Sequence, residues 1–428
     1  MRTAHPSADL FTAHRKNLAY LLKPNSIAII HSNDTYPSNA DASLPFKQNS
    51  DLFYLSGISQ EETILFLFPD AHDPNDREIL FLRETNETLS IWEGAKLTKS
   101  QCTETTGVAR VEWLSAFQAL LQRLIPLAEN IYLPTNEHLR ADTSIATRNS
   151  TFIREIQSRY PLHNYQRLAP LINQLRVIKS EVEISLTKTA CRITEAGFRR
   201  ILPIVSPGLG EWEIEAEFIH EFIRSGSRGF AYPPIIASGK NTCILHYTAN
   251  DQLMKNGDLL LLDVAAEYAG WNSDMTRTIP VSGKFTPRQR DVYNAVLRVM
   301  SYANSILRPG IFLSDFQKAV LQFMETELID LKLISRADAA MQTEEKPLVK
   351  KYFMHGTSHH LGLDVHDVSP PNQPVAAGML FTIEPGIYIP DENIGIRLEN
   401  NYLIGASENF DLMSSIPLDP NEIESLMA

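Results

Sequence analysis

Asp263 closes the apolar run Asp258-Leu259-Leu260-Leu261-Leu262-Asp263-Val264, where an ionised carboxylate is costly to bury unless something pairs with it. Taken alone, it also fits a strand end facing solvent. Asp274 changes that. If the two lie on opposite arms of a hairpin centred between Tyr268 and Ala269, their Cβ atoms face each other roughly 4.5–5.5 Å apart. Two carboxylates that close need a proton or a cation between them. Farther on, residues 353–367 hold His355, His359, His360 and His366, four of the twelve histidines. His355 and His359 have the spacing of a helical zinc site, but no Glu follows His355 as general base, and the Gly and β-branched content resists a helix. A histidine-rich surface loop is the other reading, and the flanking Phe353, Leu361, Leu363 and Val365 count against it. Two more acids stand in apolar strand patterns, Glu384 in Phe381-Thr382-Ile383-Glu384-Pro385-Gly386 and Glu399 in Gly395-Ile396-Arg397-Leu398-Glu399. Asp263, Asp274, His359, Glu384 and Glu399 together supply four carboxylates and one imidazole, a set whose charge matches two divalent cations. Oxygen-dominated ligation favours manganese, with cobalt or zinc as substitutes.

The elements that must position these residues fall into two regions. Over residues 1–175, helical patterns alternate with the short apolar runs 27–30, 64–68 and 79–82, which predicts an α/β domain. A helix is expected over Trp113 to Leu127. The second domain, 176–428, opens where Ser180 and Glu183 have capping-box spacing at the start of a long helix. Thr286-Pro287-Arg288-Gln289 repeats that signal with Pro at the first helical position, and Arg308-Pro309-Gly310 ends the helix. Strands are expected over 258–264, 380–383 and 394–398. Arg397, two residues before Glu399, then shares its strand face and either orients substrate or offsets carboxylate charge.

Composition narrows the function classes. The 428 residues carry 39 Lys+Arg against 51 Asp+Glu, a net charge of −12, which disfavours nucleic acid or an anionic membrane as a main partner. With 43% hydrophobic and 21% charged residues the chain is expected to fold. Only Cys102, Cys191 and Cys243 occur, with no CxxC pair, so reduced thiols in the cytoplasm are the expectation. The opening Met1 to Asp9 lacks a signal-peptide core, and no apolar run reaches about 18 residues.

These residues, in this order, resemble the pita-bread metallopeptidases: aminopeptidase P, prolidase and methionine aminopeptidase. Asn241 to Tyr247, Asp274-Met275-Thr276-Arg277-Thr278, Met354 to His359, Val365-His366-Asp367, Glu384 to Tyr388 and Gly395 to Glu399 are similar to aminopeptidase P, as is Phe46 to Gly57 in the first domain. The resemblance implies a creatinase/prolidase-like α/β domain followed by a catalytic domain with a curved, mainly antiparallel sheet flanked by helices. It implies that Asp274 and Glu399 bridge two metals, that Asp263 binds one, and that His359 and Glu384 complete the other. A bridging hydroxide is then the nucleophile and Glu384 takes its proton. His246, His355 and His366 line the cleft, where Tyr388 and Arg397 add donors. The substrates implied are peptides with proline second, cleaved before that proline. Such a bond offers no N–H and restricts the residue before it, so it needs a dedicated site. A homodimer or homotetramer is implied, with Trp92 reaching a neighbouring subunit's cleft; core packing is the alternative for Trp92. Val264-Ala265-Ala266 and Ser369 to Pro374 depart from many relatives without touching a ligand.

Two rival readings share the resemblance. Prolidase, restricted to Xaa-Pro dipeptides, has the same chemistry. A non-catalytic pita-bread binding protein would be expected to lose metal ligands, as would a metal-free creatinase-like hydrolase, whereas all five candidates are present.

Overall fold

The computed structural model describes residues 5–343 and 346–428; the first four residues of the opening segment lie outside them. The chain forms two compact units, His5–Arg176 and Val177–Ala428.

The first unit is built on a six-stranded mixed sheet. In spatial order its strands are Arg110–Trp113, Glu78–Leu82, Ile64–Leu67, Ser26–His31, Asn130–Leu133 and Asn164–Arg167. The three apolar runs read from the sequence are its central antiparallel strands, buried on both faces. The helix expected over Trp113 to Leu127 is shorter. Trp113 ends a strand, and the helix Phe117–Leu124 has a 3-10 turn on either side, the second containing Pro126. A proline removes an amide donor, and here the regular helix stops before it.

The second unit begins as its capping signals require. Ser180 Oγ accepts the Glu183 amide, the Glu183 carboxylate accepts the Ser180 amide, and the helix Glu181–Ile201 follows. Thr286 and Gln289 cap Pro287–Ile306 in the same way; that helix ends at Ile306, just before Arg308-Pro309-Gly310. These helices, with Glu211–Arg224 and Leu313–Asp330, pack on short antiparallel sheets through one large core, where Phe198, Phe218, Val296 and Phe316 join Leu260, Leu262, Ile279 and Ile396.

Strand alternation aims the chemistry away from that core. In Leu259–Asp263, Leu260 and Leu262 enter the main core, while Leu261 lies on the opposite face beside Tyr388, and Asp263 shares that face. The partner strand is Thr276–Pro280, and here the expected register is corrected: Asp263 faces Thr276, not Asp274. The reversal is a two-residue loop, Ala269-Gly270, with Tyr268 opposite Trp271. Both loop residues have positive φ, 52° and 95°, as this hairpin turn requires. The displacement is two positions, an even number, so Asp274 stays on the same face and becomes the diagonal neighbour of Asp263.

Candidate metal centre

His359 and Glu384 are brought together by one short β-like pairing. The His359 carbonyl accepts the Thr382 amide at 2.9 Å, Thr382 Oγ1 accepts the His359 amide at 3.2 Å, and the Glu384 amide donates to Thr357 O at 2.8 Å. His355 to His359 form no helix, as their composition predicts. His359 Nδ1 meets the His360 carbonyl at 2.9 Å, which turns Nε2 toward Asp274 (3.4 Å) and Glu384 (3.5 Å). A ring nitrogen fixed this way is the usual device for presenting the other one to a metal. Ligand atoms of Asp274, His359 and Glu399 all lie within 4.8 Å of one another.

Asp274 is clamped by its backbone. Its amide donates to Asn401 Oδ1 at 3.1 Å and its carbonyl accepts Asn401 Nδ2 at 2.6 Å. Thr276, opposite Asp263, holds two charged neighbours: its hydroxyl donates to Glu399 Oε2 at 2.7 Å and accepts Arg397 Nε at 3.2 Å. Arg397 and Glu399 therefore do reach one side. Arg397 also donates to Asp263 Oδ2 at 2.6 Å and to the Tyr388 hydroxyl at 2.8 Å. Its guanidinium is thus turned to a carboxylate and a tyrosine of the cluster. Tyr388, fully buried, lies 2.8 Å from His355 Nε2, and His355 Nδ1 meets Gly356 O at 2.7 Å, which leaves Nε2 to accept the tyrosine proton. A Cβ on Gly386 would stand 2.7 Å from that hydroxyl, so the residue after Pro385 keeps room for it.

The loop with His366 is fastened by a buried ion pair, Lys179 Nζ to Asp367 Oδ2 at 2.8 Å, with both side chains almost wholly excluded from solvent. His366 itself is exposed, its ring edge-on to His359 at 4.5 Å between centroids. His246 is exposed on the turn after the 3-10 segment Gly239–Cys243. Trp92 belongs to the first unit, on the helix Glu87–Glu93, and at 84% exposure it is not core.

One residue that reaches the cluster was not singled out in the sequence. The Tyr232 hydroxyl lies 2.7 Å from Asp263 Oδ1 and 2.7 Å from Asp274 Oδ1, joining two carboxylates that are not direct strand partners. Its only signal was an aromatic with a polar tip just before a buried strand.

Four carboxylates packed this closely cannot all stay ionised without counter-charge. Burial pushes Glu399 well above the usual range, reinforced by Asp274 and Glu384. Burial raises Glu384 to about 7 against the pull of His359 and Arg397. It raises Asp263 too, although Arg397 opposes it. Burial alone would lower His359, but hydrogen bonding to Asp274 and the charge of Glu384 carry it up to about 9. His355 is lowered to about 3, by burial and then by Arg397, so its ring is neutral. Among the described residues Glu399 Oε1 is buried with no hydrogen-bond partner. An orphaned carboxylate oxygen inside a cluster of acids and one oriented imidazole fits a divalent cation in its donor chemistry.

Two family models match the chain. Residues 185–406 match metallopeptidase family M24 and residues 11–132 match the aminopeptidase P N-terminal domain. The chain belongs to metallopeptidase family M24. It is 34% identical to the Xaa-Pro aminopeptidase of Escherichia coli K12, over 98% of each chain. It is 29% identical to human Xaa-Pro aminopeptidase 3, over 93% of this chain and 80% of that one. Among solved structures, E. coli aminopeptidase P with the inhibitor Pro-Leu superposes with a TM-score of 0.88 at 34% identity, covering 99% of both chains. The zinc-substituted E. coli enzyme in complex with product gives 0.89 at 32% identity, again over 99% of both.

Proposed function

We infer that this metallo-aminopeptidase is an Xaa-Pro aminopeptidase, releasing the first residue of peptides whose second residue is proline. The observation that carries the reading is the acid-and-imidazole cluster with its orphaned Glu399 oxygen, set in a chain alike over its full length to Xaa-Pro aminopeptidases. The N-terminal domain match favours this reading over prolidase.

Asp263, Asp274, His359, Glu384 and Glu399 would hold two divalent ions. Manganese suits the oxygen-rich set best. Ions bound there supply Lewis acidity toward the scissile carbonyl and lower the pKa of coordinated water. The chain's own groups do the rest. Glu384 accepts the proton of the attacking water. Arg397 holds Asp263 and Tyr388, and Tyr388 in turn orients His355. His355 enters as a neutral ring, so the exposed His246 and His366 are left to meet the peptide and to pass a proton to the departing proline nitrogen. The exposed Trp92 is suited to meet peptide in the cleft of a neighbouring subunit of a homodimer or homotetramer. Cys102, Cys191 and Cys243 are all free thiols, which suits a cytoplasmic setting.

Incubation of the purified protein with Mn2+ and Arg-Pro-Pro is expected to release arginine. Glu399→Ala should abolish that release and lower the bound metal measured by elemental analysis. Hydrolysis of an Xaa-Pro dipeptide but not of the tripeptide would move the assignment to prolidase, and no release with any divalent metal would sink the reading.

A further inference from the structure

Glu399 lies at a break in the sheets. Ile394–Arg397 ends before it, Asn400–Leu403 begins after it, and the two strands belong to different sheets. Outside either ladder its backbone is held by two bonds: its amide donates to Thr276 O at 3.0 Å, and its carbonyl accepts Arg277 Nη1 at 2.7 Å. Both partners are neighbours on the strand that follows Asp274.

Arg277 is an unusual resident of that strand. By alternation it shares a side with Met275 and Ile279, which belong to the main core, and its own exposure is 0%. Burying a guanidinium is costly unless its donors are satisfied. Here each nitrogen is engaged: Nε with Pro417 O at 2.8 Å, Nη1 with Thr276 O at 2.9 Å as well as Glu399 O, and Nη2 with Asn400 Oδ1 at 2.7 Å and, more distantly, Ile416 O at 3.5 Å. Every one of these acceptors is neutral. The nearest acid in the network is a step removed, where Asn400 Nδ2 donates to Asp411 Oδ2 at 2.7 Å. A core position filled by a methionine-like side chain would pack there without this cost, so the five-donor plane must be doing something an apolar residue cannot.

We propose that Arg277 is a positioning residue for the metal centre: its rigid guanidinium ties the carbonyls of Thr276 and Glu399 together and so fixes Glu399 relative to the strand that carries Asp274. The proposal rests on Glu399 acting as a metal ligand, as inferred above. A lysine keeps the charge but offers three donors on a flexible stem and no plane.

The test is Mn2+ titration of the metal-free protein by calorimetry, with kcat and KM for Arg-Pro-Pro measured at saturating Mn2+. Arg277→Lys is expected to weaken Mn2+ binding roughly 10- to 100-fold, the usual effect of losing a partner that orients a ligand. It should lower kcat and leave KM unchanged, because Arg277 is fully buried and offers no surface to a peptide. Thermal unfolding of the metal-free variant reports whether it folds. Should Arg277→Lys fail to fold, Asn400→Ala decides: it removes one Nη2 acceptor and leaves the bonds to Pro417, Thr276 and Glu399, and about a tenfold weakening is expected. A folded Arg277→Lys, or a folded Asn400→Ala where only that one folds, that binds Mn2+ as tightly as the wild type overturns the proposal. Glu399→Ala separates the two levels. If it also binds Mn2+ normally, the ligand assignment of Glu399 has failed; if it loses Mn2+ while Arg277→Lys keeps it, only the positioning role has failed.

Discussion

Tyr232 sets how Asp263 and Asp274 stand to each other. A single hydroxyl proton serves one acceptor at a time, so Tyr232 can satisfy only one of its two 2.7 Å contacts by donation, and the pair of carboxyls calls for a further positive charge or proton beside it. The rise in the Asp263 pKa, caused first by burial, agrees with that. Tyr232→Phe keeps the ring and removes the hydroxyl; it should fold and lose roughly 10- to 100-fold in metal affinity or turnover, read by Mn2+ titration and steady-state kinetics. His366→Ala probes the other edge of the site. The ring is exposed and touches His359 only edge-on, so metal content should be retained while kcat falls by about 10²-fold, the scale of a lost proton-transfer group. Loss of metal in His366→Ala would instead make it a ligand. Asp263, Glu384 and Glu399 stand out in the sequence because each interrupts an apolar strand pattern, whereas Asp274 was singled out by a hairpin pairing and His359 by the density of histidines around it. Tyr232 does not stand out, since a tyrosine beside a buried strand is ordinary and its two partners lie 31 and 42 residues farther along the chain.

At the scale of elements, what was legible followed from local rules. The capping pairs Ser180/Glu183 and Thr286/Gln289 satisfy helix-end donors within one turn, so three residues of spacing suffice to find them. The hairpin register was less accessible. Its turn uses Ala269 in the left-handed region, where asparagine or glycine is the usual marker, so nothing in the sequence advertised a two-residue loop. The break at Glu399 was equally hidden, because Gly395 to Glu399 has the pattern of one continuous strand. Gly395 shows what the pattern cannot carry. A Cβ there would stand 2.1 Å from Thr242 O in the neighbouring 3-10 segment, with backbone on the far side that cannot yield cheaply. Gly395→Ala should push that strand, and Arg397 with it, away from Thr242, destabilising the protein by about 1–3 kcal/mol. Urea unfolding measures the cost, and an unchanged midpoint would show that the 3-10 segment moves freely.

For the whole molecule, the net charge of −12 conceals a local excess, since Asp263, Asp274, Glu384 and Glu399 face one another inside the second unit. Without metal, protons must take the place of counter-ions, and that sets the pH dependence of stability. Glu384 rises on folding from 4.5 to about 7, and burial lifts Glu399 and Asp263 as well, so between these values the folded state holds protons that the unfolded chain has released. The contribution of these acids to stability is then fullest below about 4.5 and falls as pH rises toward 7. His359, raised from 6.5 to about 9, continues the trend: its contribution is present below 6.5 and is lost as pH climbs through 9. Metal binding runs the other way, because ligands must shed protons to coordinate. The difference in melting temperature between Mn2+-loaded and metal-free protein should therefore grow from pH 5 to pH 8. Taking that difference cancels groups the metal does not touch, such as Asp76, which its Arg123 hydrogen bond lowers in the first unit. At a metal concentration of about 100 times Kd the gain is about 2.7 kcal/mol per ion, or roughly 5–10 °C for a unit of this size. Calorimetric scans with and without chelator at several pH values measure it. A difference that shrinks as pH rises would mean that these carboxylates and His359 are not the groups that meet the metal.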